Sequence, residues 1–246
     1  MRQVVVVQAR MGSSRLPGKV MLPLGGRTAL AQCLDRCAAI PGIAQVVCAV
    51  PVGAQDDPVA AEAERVGAAV FRGDEKDVLS RYLGAARMAG ADIVMRVTSD
   101  CPLVDPAICG QVLALRAAER ADYAANNMPA SFPHGLDCEA FTRDALEQAA
   151  ATATLPAERE HVTPWIRTNP ALRRVNLANP RGDQSAIRVT LDHPEDYAML
   201  AALFDALAPG GRSGLDALLA AVARDPTLLE INARHAVHRP APAATP

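Results

Sequence analysis

The sequence predicts an α/β fold built on a doubly wound, mostly parallel sheet. Three observations predict it. Val4–Val7 is an unbroken β-branched run, which reads as a strand covered on both faces. Strand-like and helix-like segments alternate along the first half of the chain, as parallel crossovers require. Pro41-Gly42, Gly67 and Gly90 punctuate that half where helices should end.

The elements follow in order. After Val4–Val7 comes a loop from Ala9 to Lys19, then a helix over Thr28–Ile40 and a strand over Val46–Val50. Pro58–Val66 reads as a helix with Asp56 or Asp57 as its cap, and Ala68–Phe71 as the third strand. Asp77–Ala89 is a helix, Ile93–Thr98 a strand, and Pro106–Glu119 a helix opened by Asp105-Pro106. The pattern changes near Asn126. Asn126–Gly135 is loop-like, Leu136–Phe141 strand-like, and Arg143–Ala153 and Glu158–Thr168 helix-like. Leu172–Leu177 and Ile187–Leu191 read as strands, Pro194–Leu207 and Ser213–Arg224 as closing helices. The expected organisation is one domain over 1–233, with 130–175 as an arm or acceptor segment and 234–246 as a Pro/Ala-rich disordered tail.

Composition narrows the function. The chain has 246 residues, 50% of them hydrophobic but only 3% aromatic, and a net charge of −2. That balance does not suit a nucleic-acid coat or an anionic membrane surface, and stacking platforms for single strands need more aromatics. The six cysteines, at 33, 37, 48, 101, 109 and 138, form no Cys-x-x-Cys pair and read as buried, reduced thiols. The N-terminal Val run is too short for a secretory or membrane segment, so a cytoplasmic location is expected.

The strongest signal is the loop Ala9-Arg10-Met11-Gly12-Ser13-Ser14-Arg15-Leu16-Pro17-Gly18-Lys19. It follows the first strand, and ligands bind beyond the carboxyl ends of such strands. Gly12 and Ser13 let backbone N–H groups turn toward an anion, while Arg10, Arg15 and Lys19 supply the positive charge a triphosphate needs. Arg2, Arg10, Arg15, Lys19 and Arg27 all precede the first acid, Asp35. Lys occurs only at 19 and 76 among 25 basic residues, so Lys19 marks a position where a guanidinium would not serve. An ordinary basic surface loop is the alternative, and the position after the first strand argues against it. The spacing matches neither a P-loop nor a dinucleotide fingerprint. Asp100, just past the fourth strand, shares this sheet edge, and Asp105 already serves as the cap before Pro106.

The loop resembles the signature of cytidylyltransferases that make CMP-activated sugar acids, such as CMP-Kdo synthetases, and the whole chain resembles their SpsF-like branch. Phe71-Arg72-Gly73 with Asp77-Val78-Leu79, Thr98 to Leu103, Phe132 to Asp137, Arg159 to Pro164 and Leu191 to Asp196 carry the match. The resemblance implies a nucleotide-diphospho-sugar transferase-like fold of GT-A type, CTP as co-substrate, Mg²⁺ as cofactor and release of pyrophosphate. It implies Asp100 and Asp192 as metal ligands, with a cap on the helix beginning near Pro194 as the alternative for Asp192. Thr98 falls near the nucleotide, and Ser99 replaces a Gly frequent in the family. His134, Asp137, Glu139, Arg159 and His161 are expected to form the pocket for an acidic acceptor. A homodimer with a protruding arm is implied as well, with no nucleic acid or membrane partner. Two alternatives remain at this point. A GT-A glycosyltransferase would carry Asp-x-Asp, but Pro102 stands two residues after Asp100. A non-catalytic nucleotide-binding protein would not need both carboxylates and Lys19.

Overall fold

The computed structural model describes residues 1–207 and 214–236. The order of elements is β1 (Gln3–Gln8), β2 (Pro23–Leu24), β3 (Arg27–Thr28), α1 (Ala29–Ala38), β4 (Gln45–Pro51), α2 (Asp57–Arg65), β5 (Ala69–Gly73), α3 (Val78–Met88), β6 (Ile93–Thr98) and α4 (Pro106–Ala118). Then come β7 (Tyr123–Ala125), β8 (Glu139–Thr142), α5 (Arg143–Thr152), α6 (Pro156–His161), α7 (Pro164–Thr168), β9 (Arg174–Asn176), α8 (Pro194–Ala206) and α9 (Leu215–Arg224). Seven strands form one sheet in the order β5-β4-β1-β6-β8-β7-β9, and β2 and β3 form a separate hairpin. Strand β8 pairs antiparallel with both β6 and β7, and the other pairings of the large sheet are parallel.

The Val run is explained by burial on both faces. Val5 and Val7 pack with Leu30, Cys33 and Val112 of α1 and α4. Val4 and Val6 face the opposite layer, with Leu79, Tyr82 and Leu146 of α3 and α5. Each of these four valines is 0% exposed, so a polar alternation has no place here. A third cluster, with Leu103, Leu136, Val189, Met199 and Leu218, packs α8 and α9 against the loops after β6 and before β8. All six cysteines are buried and unbridged.

Several boundaries differ from the sequence expectation. The helix predicted over Glu158–Thr168 breaks at Val162, where φ is 70°, into α6 and α7. Pro164 stands in the first turn of α7, where its missing N–H costs nothing, and so opens a new helix rather than continuing the old one. Ile187–Leu191 forms no ladder; its strand-like pairing is an isolated bridge between His134 and Arg188. Strand β7 was not expected, and Ser213 lies outside the described residues. Asp105 caps α4 as predicted, accepting from Ala107 N at 2.7 Å, but neither predicted acid caps α2 through its side chain. Asp56 turns instead to the loop after β1. The predicted tail starts inside ordered structure, where Arg234 and His235 pair with Glu195 and the His235 ring stacks on His193 at 3.8 Å. Residues 237–246 lie outside the described residues.

The segment 130–175, expected as an arm, supplies β8 and β9 to the main sheet and α5 to its face. Its entry is tight. Gly135 has φ 111°, and a Cβ there would lie 2.6–2.7 Å from the backbone of Val189 and Thr190. Gly135→Ala is expected to cost about 2 kcal/mol or more and lower the melting temperature by roughly 4–8 °C. A calorimetric scan showing no loss would contradict the close approach of the two backbones.

Candidate active site

The site forms where β1 and β6 end. The loop after β1 is folded by its own contacts. Met11 N donates to the buried Asp56 Oδ1 at 2.6 Å, Gly18 N donates to Met11 O at 3.1 Å, and Leu16 N donates to Ser13 Oγ at 3.3 Å. Gly18 sits at φ 68°, where an L side chain is strained, and lets the chain enter the short 3₁₀ turn that begins with Lys19. Ala9 is buried and anchored to Ala49 O. Among the described residues, the amides of Gly12, Ser13 and Ser14 have no hydrogen-bond acceptor, the arrangement an anion would use.

Lys19 is the centre of the charge cluster. Its Nζ lies 2.9 Å from Asp192 Oδ1 and 3.6 Å from Asp100 Oδ2. Arg15 pairs with the other Asp192 oxygen. Burial alone would raise the Asp192 carboxyl, but the hydrogen bonds from Arg15 and Lys19 hold it at about 2. Arg10 stays at the rim, half-exposed and 3.6 Å from Glu75. Thr98 ends β6 with its hydroxyl 3.4 Å from Cys101 Sγ. The carbonyl of Asp100 accepts from Leu191 N at 2.8 Å and Thr190 Oγ1 at 3.2 Å, which brings the chain leading to Asp192 alongside.

The geometry decides the cap question. Asp196, not Asp192, accepts from the backbone at the start of α8, with Oδ2 3.1 Å from Asp192 N and 3.0 Å from His193 N. Asp192 is therefore free of capping duty, and its side chain points at the cations. Two carboxylates converging on one positive charge, both partly open to solvent, are hard oxygen donors of the kind a divalent cation such as Mg²⁺ accepts. The residues fit such an ion.

The expected acceptor residues separate into two groups. His134 and Asp137, Nε2 to Oδ2 3.8 Å apart, stand on the loop bonded to residues 187 and 189 of the strip that reaches the Asp100 carbonyl. Glu139 does not stand open to a ligand. It is 1% exposed, and its carboxylate is held by Arg96, Arg167 and the Tyr123 hydroxyl, an arrangement that keeps it ionised at about 2 despite burial. Arg159 is likewise engaged. It forms a forked pair with Asp77 and donates to Ala150 O at 2.8 Å, joining the start of α3 to the end of α5. These two are corrected to internal ties. His161 is exposed at the end of α6 and makes no hydrogen bond to the cluster. Arg188, Asp196 and Asp56 were missed. Only the spacing of Asp196, three residues after His193 at a helix start, was a readable signal.

A cavity of about 840 Å³ lies elsewhere, between α1, α4 and the start of α9. It contains no member of the charge cluster, and its acids are already used: Asp35 with Arg27, Asp216 with Arg181, and Asp105 at α4 and Leu215 N. The convergence of charge, not cavity size, marks the candidate site.

Comparison with known proteins identifies the family. The family model for cytidylyltransferases matches residues 4–220. The spore coat polysaccharide biosynthesis protein SpsF of Bacillus subtilis is 32% identical over 206 residues, 81% of this chain and 85% of SpsF. A 3-deoxy-manno-octulosonate cytidylyltransferase from Anaeromyxobacter is 36% identical over 108 residues, 43% of each chain. The solved structure of a cytidylyltransferase from Leptospira borgpetersenii superposes with a TM-score of 0.87 at 33% identity, covering 93% of this chain and 96% of that one. The glycosyltransferase and non-catalytic readings fall away: the chain belongs to the cytidylyltransferase family and is a CTP-dependent nucleotidyltransferase.

Proposed function

We propose that the protein transfers CMP from CTP to an acidic sugar or phosphorylated sugar-like acceptor, releasing pyrophosphate, in the synthesis of a surface polysaccharide or glycan precursor. The observation that carries this reading is Lys19 between Asp100 and Asp192, behind a loop with unpaired amides. Arg10 and Arg15 hold the triphosphate together with the Gly12 and Ser13 amides, and Ala9 and Thr98 border the nucleotide. Lys19 stands where charge gathers at the α-phosphate and on the leaving group. An acceptor oxygen attacks the α-phosphorus in line. Its O–P bond forms as the bond to the pyrophosphate oxygen breaks, and the acceptor hydroxyl gives up its proton to solvent water. Positioning and charge neutralisation supply the acceleration. Asp100 and Asp192 are the residues that would hold Mg²⁺, which when bound neutralises phosphate charge and orients the α-phosphate. SpsF acts in polysaccharide biosynthesis by its name, and the Anaeromyxobacter relative acts on a ulosonic acid by its name, which supports an acidic sugar. His134, Asp137 and the exposed His161 form the acceptor side. A cytoplasmic homodimer completes the proposal.

The test uses heat and product. CTP with Mg²⁺ is expected to raise the melting temperature more than ATP, GTP or UTP, by the equivalent of about 2.7 kcal/mol at a hundredfold excess over its dissociation constant. Pyrophosphate should then appear only with an acidic acceptor. Equal shifts with all four nucleotides would remove the cytidine preference, and a neutral sugar as best acceptor would remove the acidic one.

A further inference from the structure

Past residue 220, where the family match ends, the chain runs back to the start of α8. A short 3₁₀ turn, Pro226–Glu230, follows α9, and its Leu228 is buried in one cluster with Met199, Leu203 and Leu218. Asn232 comes next and is 1% exposed. Its Nδ2 donates to the carbonyl of Arg188 at 3.1 Å and to Asp196 Oδ1 at 2.9 Å. An amide nitrogen carries two hydrogens, so both are spent on the strip 188–196. Further on, Arg234 pairs with Glu195, while His235 Nε2 lies 3.0 Å from Glu195 Oε2 and the His235 ring stacks on His193. These contacts all fall on the stretch from which Asp192 projects.

Asp196 carries the contact inward. It is 0% exposed. Arg188 Nε donates to its Oδ1 at 2.8 Å, and Arg188 Nη2 donates to its Oδ2 at 2.7 Å. The same Oδ2 takes the backbone N–H of Asp192 at 3.1 Å and of His193 at 3.0 Å. A buried carboxylate that loses a donor is undersolvated and shifts toward the donors it keeps. For Asp196 the shift passes to the two amides that fix the backbone at Asp192. Without a ligand, the Asp192 carboxylate is also held by Arg15 and Lys19. A triphosphate draws on both of those cations, so with nucleotide bound the backbone keeps this carboxylate in place.

We infer that residues 225–236 form a strap across the start of α8, and that Asn232 is the positioning residue through which the strap sets Asp192. The strap rests on the reading of Asp192 as a residue that would hold Mg²⁺. Asn232 touches neither substrate nor ion. It acts through Asp196 on the backbone of Asp192, so its loss costs cation affinity rather than the triphosphate contacts of the loop after β1. Partners behind a metal ligand supply about 10- to 100-fold in affinity, and a residue acting through one intermediate side chain belongs at the low end.

Asn232→Leu keeps the side-chain volume and removes both donors. Mn²⁺ stands in for Mg²⁺, and its binding to the CTP-saturated full chain, without acceptor, is read by electron paramagnetic resonance against CTP alone. Asn232→Leu is expected to weaken Mn²⁺ binding by about tenfold. With an acceptor that turns over, the Mg²⁺ concentration for half-maximal pyrophosphate release should rise by the same factor, and the CTP KM at saturating Mg²⁺ should stay unchanged. Because Asn232 is buried, that variant can fail to fold. Arg234→Ala combined with His235→Ala removes the outer pairs instead and should weaken Mn²⁺ binding by about threefold. A lower melting temperature with unchanged Mn²⁺ affinity, in either folded variant, makes the strap purely structural and overturns the inference. Wild-type Mn²⁺ affinity in Asp192→Asn overturns the metal reading of Asp192 and the strap together. Lost affinity in Asp192→Asn beside unchanged affinity in the strap variants overturns the strap alone.

Discussion

Lys19→Ala is expected to lower turnover by about a hundredfold or more, the size seen when a preorganised transition-state charge contact is removed. The reason lies in its place between two carboxylates. Lys19 is largely buried, 14% exposed, and its ammonium reaches both Asp192 and Asp100. Once a nucleotide and cation enter, the same ammonium is within the site to meet phosphate oxygens. Lys19→Arg should also be impaired, since a planar fork cannot occupy the point between the two acids that a compact ammonium fills. Steady-state kinetics on both variants check this, with circular dichroism to show that the fold is kept. Normal turnover in Lys19→Arg would refute the point-charge argument.

Asp100→Asn and Asp192→Asn are expected to reduce metal-dependent turnover by about a thousandfold, the equivalent of several kcal/mol of transition-state stabilisation. The two should differ in stability. Asp192 is hydrogen-bonded to Arg15 and Lys19, and its carboxyl is held at about 2 against an ordinary 3.8. A depressed carboxyl stabilises the fold fully above the unfolded value and loses that contribution as pH falls through the folded one. The melting-temperature gap between wild type and Asp192→Asn should therefore be present at neutral pH and shrink between about pH 4 and pH 2. A gap that grows on acidification contradicts the pairing. Full activity in Asp192→Asn would return that residue to a purely structural role.

Much of the fold was legible because local chemistry and burial coincide in it. A strand covered on both faces shows as Val4–Val7, and Asp105-Pro106 opens α4 as read. The rarity of Lys in the sequence singled out Lys19. The split of α6 from α7 was legible too, through Pro164, and was passed over in favour of helical periodicity. The misplaced acceptor residues failed for a different reason. A carboxylate in a short strand and an arginine at a helix start look available until their partners are known. Glu139 finds Arg96 and Arg167, and Arg159 finds Asp77, across separations of 28 to 82 residues that no local pattern encodes. The Asp192 question was undecidable from sequence because capping and liganding ask for the same residue type in the same place. Only the identity of the residue that takes the backbone N–H groups, Asp196, separates them.

The weave of 130–175 into the sheet sets rules for chimeras. Strand β8 lies between β6 and β7, and β9 extends β7, so a graft cut at the borders of this segment would sever ladders on both sides. Glu139 would also arrive without the Arg96 it pairs with, leaving a buried charge short of one partner. A donor segment meant to change acceptor choice should run from the turn at Arg120, before β7, to Leu177, after β9, and bring with it a residue that suits Arg96. Smaller exchanges should keep to positions on the open loop, His134 and Asp137, where the backbone scaffold of Gly135 and residues 187–191 remains intact. Under the proposed acceptor side, specificity is better retuned by single side chains than by transplanting a module.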